Sequence, residues 1–264
     1  MKALTLAKLL YQRFVTKDME AGLYLFRKLG SALLPGYRFQ FPQIGWWHDQ
    51  RFSDYLQRFG ELDGMNGDRH WMLFQLSRLA RAVPGDTAEC GVFQGASSYL
   101  ICLANEGTGK QHHVFDSFEG LSRPGPRDGD YWTPGTLACS LEDVQRNLSR
   151  FAEVSYHKGW IPERFAEVAS RRFSFVHVDV DLEQPTLDSA IFFYERLSPG
   201  GILVCDDYGF TSCPGATAAL DEFFSDKPEK MVALSSGGGF VIKGAAVGPS
   251  FDETDAKTPA PVKA

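Results

Sequence analysis

No Cys-x-x-Cys pair occurs among the five cysteines, Cys90, Cys102, Cys139, Cys205 and Cys213. An odd number at this spacing excludes a disulfide framework and a structural zinc site, and a reduced, cytoplasmic protein is the expectation. Basic charge is also short. Lys and Arg total 27 against 33 Asp and Glu, a net charge of -6. No basic field exists to hold a phosphate backbone, so nucleic acid is not an expected partner. Long apolar runs are missing too. In the opening MKALTLAKLLYQRF, Lys8 and Arg13 interrupt the only such stretch near the start, so neither a targeting signal nor a transmembrane segment is expected. Ala3, Ala7, Leu10 and Phe14 instead share one helical face, the pattern of an amphipathic packing helix. Internal repeats are absent, and so are the GxxxxGK[ST] phosphate loop and the full GxGxxG dinucleotide fingerprint. The segment 248–264 (through PSFDETDAKTPAPVKA) is poor in apolar residues and is expected to be a disordered tail.

What remains is 44% hydrophobic and 23% charged, ordinary globular usage. Residues 1–64 read as a helical N-terminal extension, loosely patterned and broken by the aromatic-rich Phe39–Trp47, that serves as a lid, a homo-oligomerisation element or packing. Asn66 and Asp68 then offer caps to a helix carrying Met72, Leu76, Leu79 and Val83, which Pro84–Gly85 ends. Across 65–247, apolar runs at Thr87–Val92, His113–Phe118, Val154–His157, Phe173–Val180 and Ile202–Cys205 alternate with helical patterns. Those patterns lie at Ser98–Glu106, Leu141–Phe151, Arg164–Ser170, Thr186–Leu197 and Ala216–Phe224. This alternation predicts a parallel sheet covered on both faces. MVAL, SSGGG and FVIKG close the pattern as an antiparallel hairpin.

In an open parallel sheet ligands bind beyond the carboxyl ends of the strands, so the strand ends carry the functional reading. The first is Glu89-Cys-Gly91-Val-Phe-Gln-Gly95-Ala-Ser97-Ser98, where two glycines and a helix N-terminus suit either an amino-acid carboxylate or a tight turn without ligand. The second ends at Asp116-Ser117, an acidic residue suited to ribose hydroxyls or to a cap. One loop with room for one carboxylate fits S-adenosylmethionine better than a pyrophosphate. His177-Val-Asp179-Val-Asp181 and Cys205-Asp206-Asp207 end two further strands and gather up to four carboxylates. Crowded like charges call for a cation, and hard oxygen donors suit magnesium or calcium, although Asp181 and one of Asp206 and Asp207 also read as helix caps. His177 reads as a packed, hydrogen-bonded histidine. Ser122–Gly135, rich in Pro and Gly, reads as a lid over an acceptor or as a surface loop.

The blocks VPGDTAECGVFQGASS (83–98), FDSFEGL (115–121), KGW (158–160), HVDVDLEQPT (177–186), LSPGGILVCDDYG (197–209) and CPGATAALDEFF (213–224) resemble the macrocin O-methyltransferase (TylF-type) family. These are class I S-adenosylmethionine-dependent enzymes that methylate deoxysugar hydroxyls. The resemblance implies an α/β, Rossmann-like class I methyltransferase fold, with a seven-stranded, mostly parallel sheet and an antiparallel last strand. It assigns Glu89, Gly91, Gly95 and Ser97 to the methionine end of the cofactor, Asp116 to its ribose, and Ser117 and Trp160 to the adenine wall. It assigns Asp179, Asp206 and Asp207 to Mg(II). The expected activity is magnesium-dependent transfer of a methyl group to a hydroxyl of a sugar-like small molecule, with Asp179 as base. A catechol-like phenol as acceptor, or a nucleotide-binding protein that transfers no methyl group, are the alternatives. Relatives commonly read DLYEPT where this chain has Asp181-Leu-Glu-Gln-Pro-Thr, so Glu183 replaces an aromatic beside the acceptor.

Overall fold

The computed structural model describes residues 3–33, 45–61 and 66–248. Most of the Phe39–Trp47 break and the tail beyond Gly248 lie outside the described residues. The chain divides into two compact units, 1–64 and 65–264.

The first unit holds α1 (Ala3–Phe14), α2 (Met19–Leu33), a 3-10 turn at Gly45–His48 and α3 (Gln50–Phe59). The Asp49 side chain caps α3 by accepting from the Arg51 and Phe52 amides at 2.9 and 3.2 Å. Phe52, Tyr55, Leu56 and Phe59, at helical spacing, form its buried face. Of the α1 face expected to pack, Leu10 and Phe14 are exposed, Phe14 at 73%.

The second unit opens with α4 (Gly67–Leu79). Asn66 flanks it but makes no side-chain cap bond, because its carbonyl accepts from Arg69 Nη2 at 2.9 Å. A seven-stranded sheet follows: β1 (Asp86–Cys90), β2 (His112–Asp116), β3 (Val154–Lys158), β4 (Phe173–Val178), β5 (Leu197–Cys205), β6 (Val232–Ala233) and β7 (Gly239–Ile242), in the order β3-β2-β1-β4-β5-β7-β6. The first five strands run parallel and β7 runs antiparallel to β5 and β6, as the terminal hairpin predicts. The chain winds outward from β1 to β3, returns to β4 and winds the other way. The carboxyl ends of β1 and β4 are therefore the switch point where an open sheet leaves a crevice.

Strand alternation sorts the core. Ala88, Cys90, Phe115, Val176 and Val178 meet Phe193 of α7 (Glu183–Arg196) and Leu220 and Phe224 of α8 (Pro214–Phe224). On the opposite face Phe175, Ile202 and Val204 meet Leu73 and Leu76 of α4 and Ile101 of α5 (Ala96–Asn105), and Val114 meets Val144 of α6 (Leu141–Asn147). Each fully buried Phe or Leu contributes about 1.5–3 kcal/mol through the apolar area it removes from water.

Two boundaries depart from the sequence expectation for a long-range reason. β5 begins at Leu197, because the Ser-Pro-Gly-Gly that reads as a turn is paired through Gly200 N–H to Lys243 O (2.9 Å) and Lys243 N–H to Gly201 O (2.8 Å). α7 begins at Glu183, where Asp128 accepts the Glu183 N–H at 2.7 Å from a distant loop. The segment expected to be helical over 164–170 is a 3-10 helix at Glu163–Val168.

Candidate active site

The switch point is built on one close backbone approach. Asp179 N–H donates to Cys90 O and Gly91 N–H to Phe115 O, both at 2.9 Å, which draws β4 and β2 against the end of β1. Gly91 sits at φ +78, and a Cβ there would overlap the carbonyl oxygen of Asp179. Only glycine fits. The chain then turns through Gly95, the N-cap of α5 at φ +84.

Asp116 fastens that turn to β2. Its carboxylate accepts from the amides of Val92 (2.8 Å), Phe93 (3.3 Å) and Phe118 (2.7 Å). Ser117 Oγ accepts from Glu119 N–H and donates to Gly120 O, both at 3.0 Å. Beyond these strand ends lies a cavity of about 200 Å³ whose lining includes Gly91, Asp116, Ser117, Trp160, Asp179 and Asp181. Trp160, in that lining, is 42% exposed. Of the residues expected at the cofactor, Gly91, Asp116, Ser117 and Trp160 thus share one wall. Glu89, Gly95 and Ser97 do not line it. Glu89 is fully buried, with one oxygen accepting from Ser98 Oγ and the other 2.7 Å from His177 Nδ1. Ser97 is half-buried in the first turn of α5.

Replacing Asp116 by Ala removes the carboxylate on the cavity wall and with it the acceptor of three backbone amides. Binding of S-adenosylhomocysteine is expected to weaken by about 1–3 kcal/mol, the cost of a lost charge-assisted hydrogen bond. Calorimetry checks this, and an unchanged dissociation constant would move the ribose elsewhere.

Of the clustered aspartates, Asp179 and Asp181 line this cavity and Asp206 and Asp207 do not, and their surroundings differ. Asp179 lines the cavity, and burial, Asp206 and Asp207 push its carboxyl well above the usual carboxylate range. Asp207 is buried, and burial followed by Asp181 and Asp206 raises it likewise. One of its oxygens accepts from the amides of Val180 (3.1 Å) and Asp181 (2.8 Å), which holds Asp181 in the left-handed region at φ 60. Asp181 is raised to about 7, by burial first and the Asp179 charge second, and it accepts weakly from Cys213 Sγ at 3.6 Å. Asp206 goes the other way. Burial would raise it, but His177 and Arg69 outweigh burial and bring it to about 2. Arg69 Nη1 pairs directly with Asp206 Oδ2, while His177 Nε2 stands 3.9 Å from Oδ1, an ion-pair contact rather than a hydrogen bond. Among the described residues, the group whose ligand atoms lie within 4.8 Å of one another is Asp181, Asp207 and Cys213, not the expected Asp179, Asp206 and Asp207.

The Ser122–Gly135 segment is held at both base and tip. Leu121 N–H bonds Thr136 O and Gly135 N–H bonds Leu121 O, both at 2.9 Å. At the tip, Arg127 pairs with Glu183 of α7 and Glu222 of α8, Asp128 caps α7, and Trp132 Nε1 reaches Cys213 Sγ at 3.4 Å. Glu183, the departure beside the acceptor side, thereby has a partner 56 residues away. Sequence reading missed Arg69, Asp128 and Cys213 because the partners that bring them to the site, Asp206, Glu183 and Asp181, are distant in the chain.

Residues 74–231 match the family described as Macrocin-O-methyltransferase (TylF). The chain belongs to this family. Among curated TylF-like relatives, it is 32% identical over 152 residues to an 8-demethyl-8-(2,3-dimethoxy-alpha-L-rhamnosyl)-tetracenomycin-C 4'-O-methyltransferase of Streptomyces olivaceus, covering 52% of this chain and 58% of the relative. It is 31% identical over 153 residues to a Mycinamicin III 3''-O-methyltransferase of Micromonospora griseorubida, covering 52% and 60%. The chain thus spans less than two thirds of the length of these relatives. Among solved structures, the O-methyltransferase NovP superposes at a TM-score of 0.56 with 25% identity, over 66% of this chain and 79% of that one. The calicheamicin methyltransferase CalS11 superposes at 0.60 with 17% identity, over 80% and 97%, a likeness of fold. The TylF fold of the second unit is therefore a Rossmann-like methyltransferase sheet.

Proposed function

We propose that this protein is an S-adenosylmethionine-dependent O-methyltransferase acting on a hydroxyl of a sugar or glycosylated small molecule, with magnesium held by Asp179, Asp206 and Asp207. The observation that carries the reading is the cavity at the switch point, whose lining brings Gly91 and Asp116 together with Asp179 and Asp181. Membership of the TylF family and relatives named for methylation of glycosylated products support it.

The residues suit both groups. A glycine that lets backbone come close, a strand-end carboxylate and an indole face match the carboxylate, ribose and adenine of the methyl donor. The acidic donors are hard oxygens, and the upward push on Asp179 and Asp207 is the cost of crowding charge that a cation would relieve. When bound, S-adenosylmethionine supplies the electrophilic methyl group and magnesium supplies positive charge beside the acceptor oxygen as it becomes anionic. This chain's own part is alignment and proton removal. Methyl transfer is an in-line displacement, so the wall from Gly91 to Trp160 must hold the donor while the opposite wall presents the hydroxyl. Asp179, which lines the cavity, or a residue close by takes the proton. Asp181 lines the same cavity. The pinned Ser122–Gly135 segment supports a fixed acceptor wall. The free cysteines support a reducing, cytoplasmic setting.

Metal removal tests the reading. A chelated protein is expected to bind S-adenosylhomocysteine as before, yet to lose methyl transfer to deoxysugar acceptors, with recovery on adding Mg²⁺. Full turnover after chelation would contradict the magnesium assignment. A mass gain on catechols but not on sugars would contradict the acceptor class.

A further inference from the structure

One chain of hydrogen bonds crosses the sheet and stops at the acidic cluster with an open end. It lies on the α4–α5 face, where strand alternation puts Thr87 and Glu89 of β1, His112 of β2 and His177 of β4. Register sets Thr87 opposite His112 and Glu89 opposite His177. Burial depresses His112 to about 3, so its ring is neutral and one nitrogen donates while the other accepts. Directions then follow along the chain. Asn105 Nδ2 donates to Thr87 Oγ1 (2.7 Å), and Thr87 Oγ1 donates to His112 Nδ1 (2.9 Å). His112 Nε2 donates to Ser98 Oγ (3.0 Å), and Ser98 Oγ donates to Glu89 Oε2. Glu89 Oε1 is left to accept from His177 Nδ1–H at 2.7 Å.

Every group so far has its partner. The last atom does not. His177 is 1% exposed, and its Nε2 is buried without a hydrogen-bond partner. Asp206 Oδ1 stands 3.9 Å from it, while Arg69 holds Asp206 Oδ2. A buried nitrogen left without a hydrogen-bond partner is costly, so its place beside a carboxylate calls for a reason.

We propose that His177 is a positioning residue for the cation site: Glu89 fixes the ring through Nδ1, and Nε2, directly or through a water, sets where the Asp206 carboxylate stands. Glu89 then acts at a distance from the cavity, as the anchor of that ring. The proposal rests on the magnesium reading above. It assigns the partner that orients a ligand, the kind of contact whose loss weakens metal binding by about 10–100-fold.

The two ends of the ring can be tested separately. In His177→Asn the amide nitrogen replaces Nδ1 and keeps the bond to Glu89, but nothing reaches Asp206. In His177→Gln the longer amide replaces Nε2 and loses Glu89. Mn²⁺ binding to the metal-stripped full chain, read by electron paramagnetic resonance without donor or acceptor, is expected to fall about tenfold or more in His177→Asn and less in His177→Gln. Melting temperatures are expected in the opposite order, with His177→Asn the more stable. In the unmutated protein, Mg²⁺ should shift the ring ¹⁵N resonance of His177 Nε2 and leave His112 in place. A His177→Asn protein within twofold of the wild-type Mn²⁺ affinity, affinity that simply follows melting temperature, or an unmoved His177 resonance in a protein that binds the ion each overturns the proposal. A wild type that binds no Mn²⁺ overturns the magnesium reading and takes this proposal with it.

Discussion

Gly91→Ala is expected to lower the melting temperature by about 10 °C and to abolish binding of S-adenosylhomocysteine. Two costs add. An alanine held at φ +78 is in the left-handed region, which costs about 1–2 kcal/mol. Its Cβ would also overlap the carbonyl oxygen of Asp179 and lie 2.8 Å from the carbonyl carbon. That neighbour is backbone, tied to Cys90 O through Asp179 N–H at 2.9 Å, so no rotamer change relieves the clash. The ends of β1 and β4 must separate, with a total cost of about 4 kcal/mol, in the rare upper range for one substitution. At about 2–4 °C per kcal/mol for a domain of this size, the melting shift follows. Gly95→Ala is the control. It has a similar φ of +84, but its Cβ would meet only side-chain atoms of Val144 and Leu148 at 3.4–3.7 Å, so the left-handed cost stands nearly alone. Equal melting shifts for the two variants would show that the β1–β4 approach is not the constraint.

Asp207→Asn is expected to lower the magnesium-saturated rate about a thousandfold and to leave the metal-free protein at least as stable as wild type. The loss corresponds to about 4 kcal/mol of transition-state stabilisation. An asparagine oxygen still accepts the amides of Val180 and Asp181, which keeps Asp181 in place, while the amide nitrogen replaces an oxygen that a cation needs. The stability sign follows from titration. Asp207 titrates higher folded than unfolded, because burial and the charges of Asp181 and Asp206 oppose its ionisation. Without a cation, wild type therefore loses stability as pH rises above the ordinary carboxylate range, and asparagine is spared that loss. Melting temperatures with and without Mg²⁺, beside rates, check both halves. A variant that turns over near the wild-type rate would remove Asp207 from the metal site.

Much of the fold was legible because its signals are local. The run at Phe173–Val180 and the hairpin signal at SSGGG are short-range patterns, and the seven-stranded sheet with its antiparallel β7 follows from them. The strand ends were legible as places for chemistry because connectivity alone puts Gly91, Asp116 and Asp179 on one rim. Their division of labour was not. Glu89 and Asp206 both read as ligand-facing carboxylates at strand ends, yet register points Glu89 at His177, and Asp206 meets Arg69 from α4, 137 residues away. The Ser122–Gly135 segment carries lid-like composition, but composition is silent on Arg127 meeting Glu183 and Glu222. Such pairs exist only once the topology has brought distant segments together.

The central claim is that the cavity beside Gly91 and Asp116 receives the methyl donor. Titrating the metal-stripped protein with S-adenosylhomocysteine, and in parallel with NAD, tests it most directly. The account predicts saturable binding of S-adenosylhomocysteine, weakened in Asp116→Ala, with no measurable heat from NAD. Binding of NAD and none of S-adenosylhomocysteine would contradict it.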